Sequence, residues 1–302
     1  MRFRSLLFLP GNSPAMLLNG TVLPADALIL DLEDAVAPAE KDAARQLVHH
    51  ALTALDYGAR QIVIRINDLK TDFWRRDLEL IVPCRPAAIM PPKIEFEEQI
   101  VALSGALDAL EKESGIPLGR TRLIPLLETA AGVGNAPAIA RASERNVALF
   151  LGAEDYTADI GAVRTQAGDE IFLARSQIVL AAKSAGLAAI DTPFTDAQDE
   201  AGLIADAQLA KGLGFTAKAA ISPHHLRGIH QVFSPSTTEI DYALEVLEVL
   251  AIGKAEGKGA VALRGKMIDK PIETRARQTL ELAEQLGLLT TEAQTFLESL
   301  EV

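Results

Sequence analysis

Glu128 and Asp155 each follow a short apolar run: Leu123-Ile124-Pro125-Leu126-Leu127 before the first, and Val147-Ala148-Leu149-Phe150-Leu151, then Gly152-Ala153-Glu154, before the second. Such runs read as buried strands, and a helix-like segment from about Ala130 to Arg145 lies between them. If the two strands are parallel, both carboxylates leave the sheet at its carboxyl edge, where α/β sheets keep their chemistry. With Gly152 letting the backbone come close, two oxygen donors there suit a hard cation such as Mg²⁺, which takes one or two carboxylates and fills its shell from substrate and water. The plainer alternative is that loops after strands are acidic because they face water. Other charges fall at the same kind of position. Ala27-Leu28-Ile29-Leu30 delivers the acids of Asp31-Leu32-Glu33-Asp34. Gln61 to Ile66 is β-branched and apolar but for Arg65, either a surface cation or a fork that holds a substrate carboxylate in two hydrogen bonds. Ala87-Ala88-Ile89-Met90 runs into Pro91-Pro92-Lys93, whose lysine is either solvated or turned toward the acids.

The elements that must position these groups alternate along the chain. Ser5 to Leu9 is a first strand closed by Pro10-Gly11-Asn12, with Pro14 opening a helix. After the second strand, Pro38 opens a helix whose apolar residues Ala43, Leu47, Val48, Ala51, Leu52 and Leu55 share one face, and Gly58 lies beyond its end. Helical spacing resumes near Asp72 and again from Glu95 to Glu113. Pro125 inside strand five counts against a central strand, since proline cannot donate to the ladder, unless a barrel strand bulges there. A glycine-bearing loop after Asp155 leads to a helix near Ile171 to Ser184. Ala188-Ala189-Ile190 is a seventh strand, a helix follows from about Ala201 to Lys211, and Phe215 to Ile221 is an eighth strand closed by Ser222-Pro223. Eight strand–helix units over about 230 residues predict an α/β fold closed as a (β/α)₈ TIM barrel with a C-terminal helical extension. The domains are 1–235, a catalytic barrel, and 236–302, a helical arm suited to contacting a neighbouring subunit. The arm holds a helix from Glu239 to about Lys254, a glycine-rich stretch, and two terminal helices, the last with Thr291 and Gln294 as a capping box.

Composition narrows the classes. Hydrophobic residues make up 49% and charged residues 23%, enough for a packed core. A net charge of −12 argues against nucleic acid or an anionic membrane as partner, though not against an anionic small molecule met by a few arginines. The single cysteine, Cys84, excludes an intrachain disulfide framework and fits a reducing cytoplasm. Leu6-Leu7-Phe8-Leu9 is too short for a signal-peptide core, and no run reaches membrane-spanning length. No Gly-x-Gly-x-x-Gly turn, G-x-S-x-G elbow or Walker loop is present, and the histidines do not take metal-ligand spacing.

Taken together, Arg4-Ser5-Leu6-Leu7-Phe8-Leu9-Pro10-Gly11-Asn12, Ala25 to Val36, Val63-Ile64-Arg65-Ile66-Asn67, Pro92-Lys93, Leu127-Glu128-Thr129, Leu151-Gly152-Ala153-Glu154-Asp155 and Gly265-Lys266-Met267-Ile268-Asp269 resemble the citrate lyase beta subunit family of acyl-thioester lyases, over nearly the whole chain. The resemblance implies Mg²⁺ and cleavage of a carbon–carbon bond in a β-hydroxyacyl thioester on coenzyme A or acyl-carrier protein. The closest fit is a citryl thioester yielding oxaloacetate; malyl-CoA and citramalyl-CoA lyases, or a related thioesterase, are the alternatives. By position, Glu128 and Asp155 would be metal ligands, Glu128 also meeting substrate, and Arg65 would clamp the keto-acid carboxylate. Glu33 would orient Arg65 or a water, and Lys93 would lie near the thioester. Asp269 would be the acid/base group, supplied by the arm of a neighbouring subunit in a homo-oligomer, a trimer by resemblance, with citrate lyase partner subunits possible. Arg2, Arg4 and Lys93 are candidates for the carrier's phosphates. Arg264 and Ser222-Pro223-His224-His225 depart from the family pattern on the thioester side.

Overall fold

The computed structural model describes residues 3–255, 257 and 261–300, which fall into two compact units, Met1–Phe233 and Ser234–Val302. In the first, strand and helix alternate: β1 (Ser5–Pro10), α1 (Pro14–Asn19), β2 (Ala27–Asp31), α2 (Lys41–Ala54), β3 (Gln61–Arg65), α3 (Phe73–Ile81), β4 (Ala88–Met90) and α4 (Glu97–Glu113). Then come β5 (Arg122–Leu123), β6 (Leu126–Leu127), α5 (Ala130–Gly134), α6 (Ala136–Arg141), β7 (Ala148–Leu151), α7 (Ala153–Asp159), α8 (Phe172–Ser184), β8 (Ala188–Asp191), α9 (Glu200–Leu213), β9 (Ala217–Ala220) and α10 (His225–Phe233).

All pairings in this sheet are parallel, in the order β5-β4-β3-β2-β1-β9-β8-β7-β6. β5 and β6 are two halves of one strand, so the sheet closes on itself. Ile124 N–H donates to Ile89 O on one side (3.0 Å), and Phe150 N–H donates to Pro125 O on the other (3.0 Å). The expected fifth strand is therefore split at Ile124-Pro125, where the proline has no N–H to give the ladder. Successive side chains point to opposite faces of a strand, and the core divides accordingly. Leu6, Ile29, Val63, Met90, Leu126, Phe150 and Ile190 fill the barrel, with alanines at 27, 88, 148, 217 and 219 making room. Leu7, Leu28, Leu30, Ile64, Ile89, Leu149 and Leu151 pack outward against the helices. Buried on both faces, these strands have to be continuous apolar runs.

Three local expectations change. The helix foreseen from Ala130 to Arg145 is two short helices, because Pro137 cannot continue the ladder of a helix already weakened by Gly132 and Gly134. Asp155 lies in the first turn of α7 rather than in a loop, where an acid meets the positive end of the helix dipole. On α2 it is Ala44 that is buried, while Ala43 faces solvent.

The second unit contains α11 (Thr237–Ala255), β10 (Val261–Leu263), β11 (Lys266–Ile268), α12 (Lys270–Gln285) and α13 (Thr291–Leu300), around a core that includes Ile240, Val246, Leu247, Ile268, Leu280 and Ala283. The expected glycine-rich stretch lies in part outside the described residues, and Val261 to Ile268 forms an unforeseen hairpin: Arg264 and Gly265 take φ of 52° and 77°, the double left-handed turn that matches strand twist. Thr290 rather than Thr291 caps the last helix, its hydroxyl accepting from Ala293 N–H at 3.2 Å. No helix among the described residues is long and apolar enough to cross a membrane.

Candidate active site

At the carboxyl edge of the barrel a cavity of about 320 Å³ opens between the ends of the strands. Its polar wall is Asp31, Asp34, Arg65, Glu128, Glu154, Asp155 and Thr192; its apolar wall includes Phe8, Pro10, Phe150, Pro193 and Ile221. Parallel register brings the charges together: Asp31 ends β2 directly opposite Arg65, which ends β3.

Asp31 is 1% exposed and forms the hub of this edge. Its Oδ1 accepts from Arg65 Nε (2.7 Å) and Glu33 N–H (2.8 Å), and its Oδ2 from Arg65 Nη2 (2.5 Å) and Ala35 N–H (3.3 Å). The bidentate fork of Arg65 is thus spent on Asp31, leaving Nη1 with Glu33 Oε2 at 3.2 Å and Asp34 at 3.8 Å. The guanidinium also lies 5.1 Å from the Phe8 ring centroid. Burial works against the charge of Arg65, yet Asp31 above all raises its pKa further.

Glu33 is buried; its Oε1 accepts from Lys93 Nζ at 2.6 Å and its Oε2 from Asp34 N–H at 2.9 Å. Burial raises its carboxyl above the usual range, with Arg65 pulling the other way. Lys93 has φ 53°, rare for a side-chain-bearing residue, and this twist sends its N–H to Glu128 Oε1 (2.8 Å) while Nζ reaches Glu33. Burial opposes the Lys93 charge, and the bond to Glu33 outweighs it, so its pKa is raised. Beneath them Lys41 Nζ donates to the carbonyls of Leu32 (2.9 Å) and Glu33 (2.5 Å), holding the loop from below.

Glu128 is 3% exposed, and its pKa is pushed well above the ordinary carboxylate value, first by burial and then by the negative charge of Asp155, with Arg65 opposing. Gly152 makes room for it: a Cβ there would meet Glu128 Oε2 at 2.6 Å. A buried carboxylate facing the negative charge of a second one fits a divalent cation, whose charge offsets the burial and repulsion that Glu128 meets. Among the described residues no group of three or more histidine, cysteine or acidic side chains is placed to hold a metal; two carboxylates are a donor set for an ion such as Mg²⁺, which keeps substrate and water in its shell.

The structure brings Glu33, Arg65, Lys93, Glu128 and Asp155 to one edge, although Lys93 and Glu33 are not among the residues that line the cavity. Arg4 is a correction. It precedes β1, at the amino edge of the barrel, where Nε and Nη2 pair with Asp26 at 2.9 and 2.7 Å, at the other end of β1 from the cavity-lining Pro10. Arg2 lies outside the described residues. Asp269 belongs to the second unit, exposed, and caps α12 by accepting from Ile272 N–H at 3.2 Å. Sequence reasoning gave Asp31 no role of its own; the available signal was that two strand ends, one acidic and one basic, stop level with each other.

Fold and cavity define the class: a (β/α)₈ barrel with an acidic, arginine-bearing pocket at its carboxyl edge. The chain belongs to the HpcH/HpaI aldolase/citrate lyase family, whose profile matches residues 4–223, and this makes it a carbon–carbon lyase. It is 39% identical over 289 residues to the citrate lyase subunit beta of Leuconostoc mesenteroides subsp. cremoris, covering 96% of each chain. It is also similar to the crystal structure of protein CitE from Mycobacterium tuberculosis in complex with magnesium, acetoacetate and coenzyme A, with TM-score 0.76 and 33% identity over 94% of this chain and 98% of that one. A citrate lyase beta subunit from the same organism, complexed with oxaloacetate and magnesium, matches with TM-score 0.65 and 33% identity over 78% of this chain and 98% of that one.

Proposed function

We propose that the chain is a Mg²⁺-dependent lyase that cleaves a citryl thioester to oxaloacetate and an acetyl thioester. The observation that carries this reading is the convergence of buried Glu128 with half-buried Asp155 and Arg65 on one cavity, and the magnesium and oxaloacetate held by the M. tuberculosis relative support it. Cleavage removes the proton of the β-hydroxyl, turns that carbon into the keto group, breaks the adjoining carbon–carbon bond, and leaves its electron pair on the thioester enolate, which then takes a proton. Mg²⁺, when held by Glu128 and Asp155, supplies Lewis-acid polarisation of the hydroxyl oxygen and the neighbouring carboxylate.

This chain's residues do the rest. Arg65 presents Nη1 to the keto-acid carboxylate, and Asp31 locks the guanidinium so that little orientation is lost on binding. Glu33 and Lys93 brace that geometry, Lys93 also fixing Glu128 through its N–H. Asp269, from the arm of a neighbouring subunit in a homo-oligomer, moves the proton, an effect worth about 10² to 10⁴ in rate. The residues 236–302 act as that arm, the carrier is coenzyme A or an acyl-carrier protein within a citrate lyase assembly, and the setting is cytoplasmic.

The test offers citryl-CoA, malyl-CoA and citramalyl-CoA with Mg²⁺ and records oxaloacetate, glyoxylate and pyruvate separately, with citryl-acyl-carrier protein in parallel. Oxaloacetate alone, abolished by chelator and by Glu128→Gln, is expected. Thiol release without any keto acid would make the protein a thioesterase instead.

A further inference from the structure

Helix α7 carries Asp155 but lacks a cap of its own. Ser, Thr, Asp or Asn at the N-cap ordinarily accepts from a first-turn N–H. Here the N-cap is Gly152, and any side chain there would collide with Glu128. The missing acceptor comes from another strand: Thr192, 1% exposed and directly after β8, takes the Ala153 N–H on its Oγ1 at 3.2 Å.

Thr192 is itself held unusually firmly. Lys218 Nζ donates to its carbonyl at 2.7 Å and to Asp191 Oδ2 at 2.6 Å, and lies 2.6 Å from Asp206 Oδ2. Arg175 grips Asp191 with Nε and Nη2, both at 2.9 Å, and reaches Asp206 at 2.7 Å. Arg175, Asp191 and Lys218 are fully buried and Asp206 is 8% exposed. Desolvating four charges is a poor way to gain stability, since apolar packing of equal volume does as well or better; its attested use is to fix position.

We propose that Thr192 is a positioning residue: anchored by the buried Lys218–Asp191–Arg175–Asp206 quartet, it caps α7 from the end of the neighbouring strand and sets where Asp155 stands relative to Glu128. The proposal rests on the reading of those two carboxylates as the cation site. Gly152 and Thr192 are then two halves of one solution, the glycine yielding its cap so that Glu128 fits and the threonine supplying it from outside.

The test is the Mn²⁺ dissociation constant of the full-length protein without substrate, read by electron paramagnetic resonance, alongside thermal melting. Thr192→Val keeps the shape and loses the acceptor; about 5-fold to 10-fold weaker binding is expected, with Thr192→Ser within 2-fold of wild type. Asp155→Asn should weaken binding more, and Thr192→Val added to it should change nothing further. If the valine variant does not fold, the Thr192→Ala and Thr192→Ser pair carries the same comparison. Wild-type binding in Thr192→Val while Asp155→Asn loses Mn²⁺ overturns the proposal and leaves the cation site standing. Wild-type binding in Asp155→Asn overturns both.

Discussion

Replacing Asp31 by Asn removes one charge and one acceptor from the hub of the site while keeping its shape. Of the four hydrogen bonds that Asp31 accepts, two survive on the remaining oxygen; the new amide sets N–H against N–H at Arg65 Nη2 and Ala35. Arg65 is left as a buried guanidinium, its side chain 12% exposed, without its bidentate partner. Breaking a buried pair from one side costs about 3–5 kcal/mol. With half the acceptors retained, the lower end applies, about 3 kcal/mol. For a unit of this size that lowers Tm by roughly 6–12 °C. An Arg65 free to shift by about 1 Å should lose about 10² in kcat/KM. Circular dichroism melts and steady-state keto-acid release measure the two effects, and Arg65→Lys, which keeps the charge without the fork, should match the kinetic loss. A Tm within about 2 °C and kcat/KM within about 3-fold of wild type would refute the hub assignment.

Gly152→Ala places a methyl 2.6 Å from Glu128 Oε2, at a φ of −96° that any residue tolerates, so it should displace Glu128 and weaken Mn²⁺ binding by about 10-fold or more without unfolding the barrel; a titration with a melting curve checks both. The raised pKa of Glu128 predicts a pH signature for the metal-free protein. A carboxyl whose folded pKa lies above its unfolded one contributes stability below the unfolded value, near 4.5, and loses it as pH rises through the folded value. The rise in Tm on adding Mg²⁺ should therefore grow with pH above about 4.5 and flatten in Glu128→Gln, and a pH-independent Mg²⁺ effect would speak against it. Arg4→Ala should lower Tm through the lost Asp26 pair and leave the KM for the thioester unchanged; a several-fold rise in KM would return Arg4 to the substrate side.

Much of this was legible because burial on both faces leaves a strand little choice of residue: the runs ending at Leu30, Ile66, Met90 and Leu151 are apolar for that reason, and the charges after them had to fall at one edge. Pro125 announced its own irregularity, and the structure answers with a strand in two pieces. The failures have equally physical causes. The alanines between Ala130 and Ala142 mask the break at Asn135, and a seven-residue helix such as α7 is too short to show a period. Arg4 was grouped with the substrate cations by its sign alone, although its place before the strand puts it at the amino edge. What no single segment could reveal is register: that Asp31 faces Arg65, or that Thr192 caps a helix it does not belong to, depends on which strands lie side by side.

The most direct measurement is the stoichiometry of products from citryl thioester, with Mg²⁺, in wild type and in Asp155→Asn. Equal amounts of oxaloacetate and acetyl thioester from the wild type, with neither from the variant or after chelation, are what carbon–carbon cleavage at this cation site predicts. Oxaloacetate released at the wild-type rate by Asp155→Asn, or free thiol in place of acetyl thioester, would contradict it.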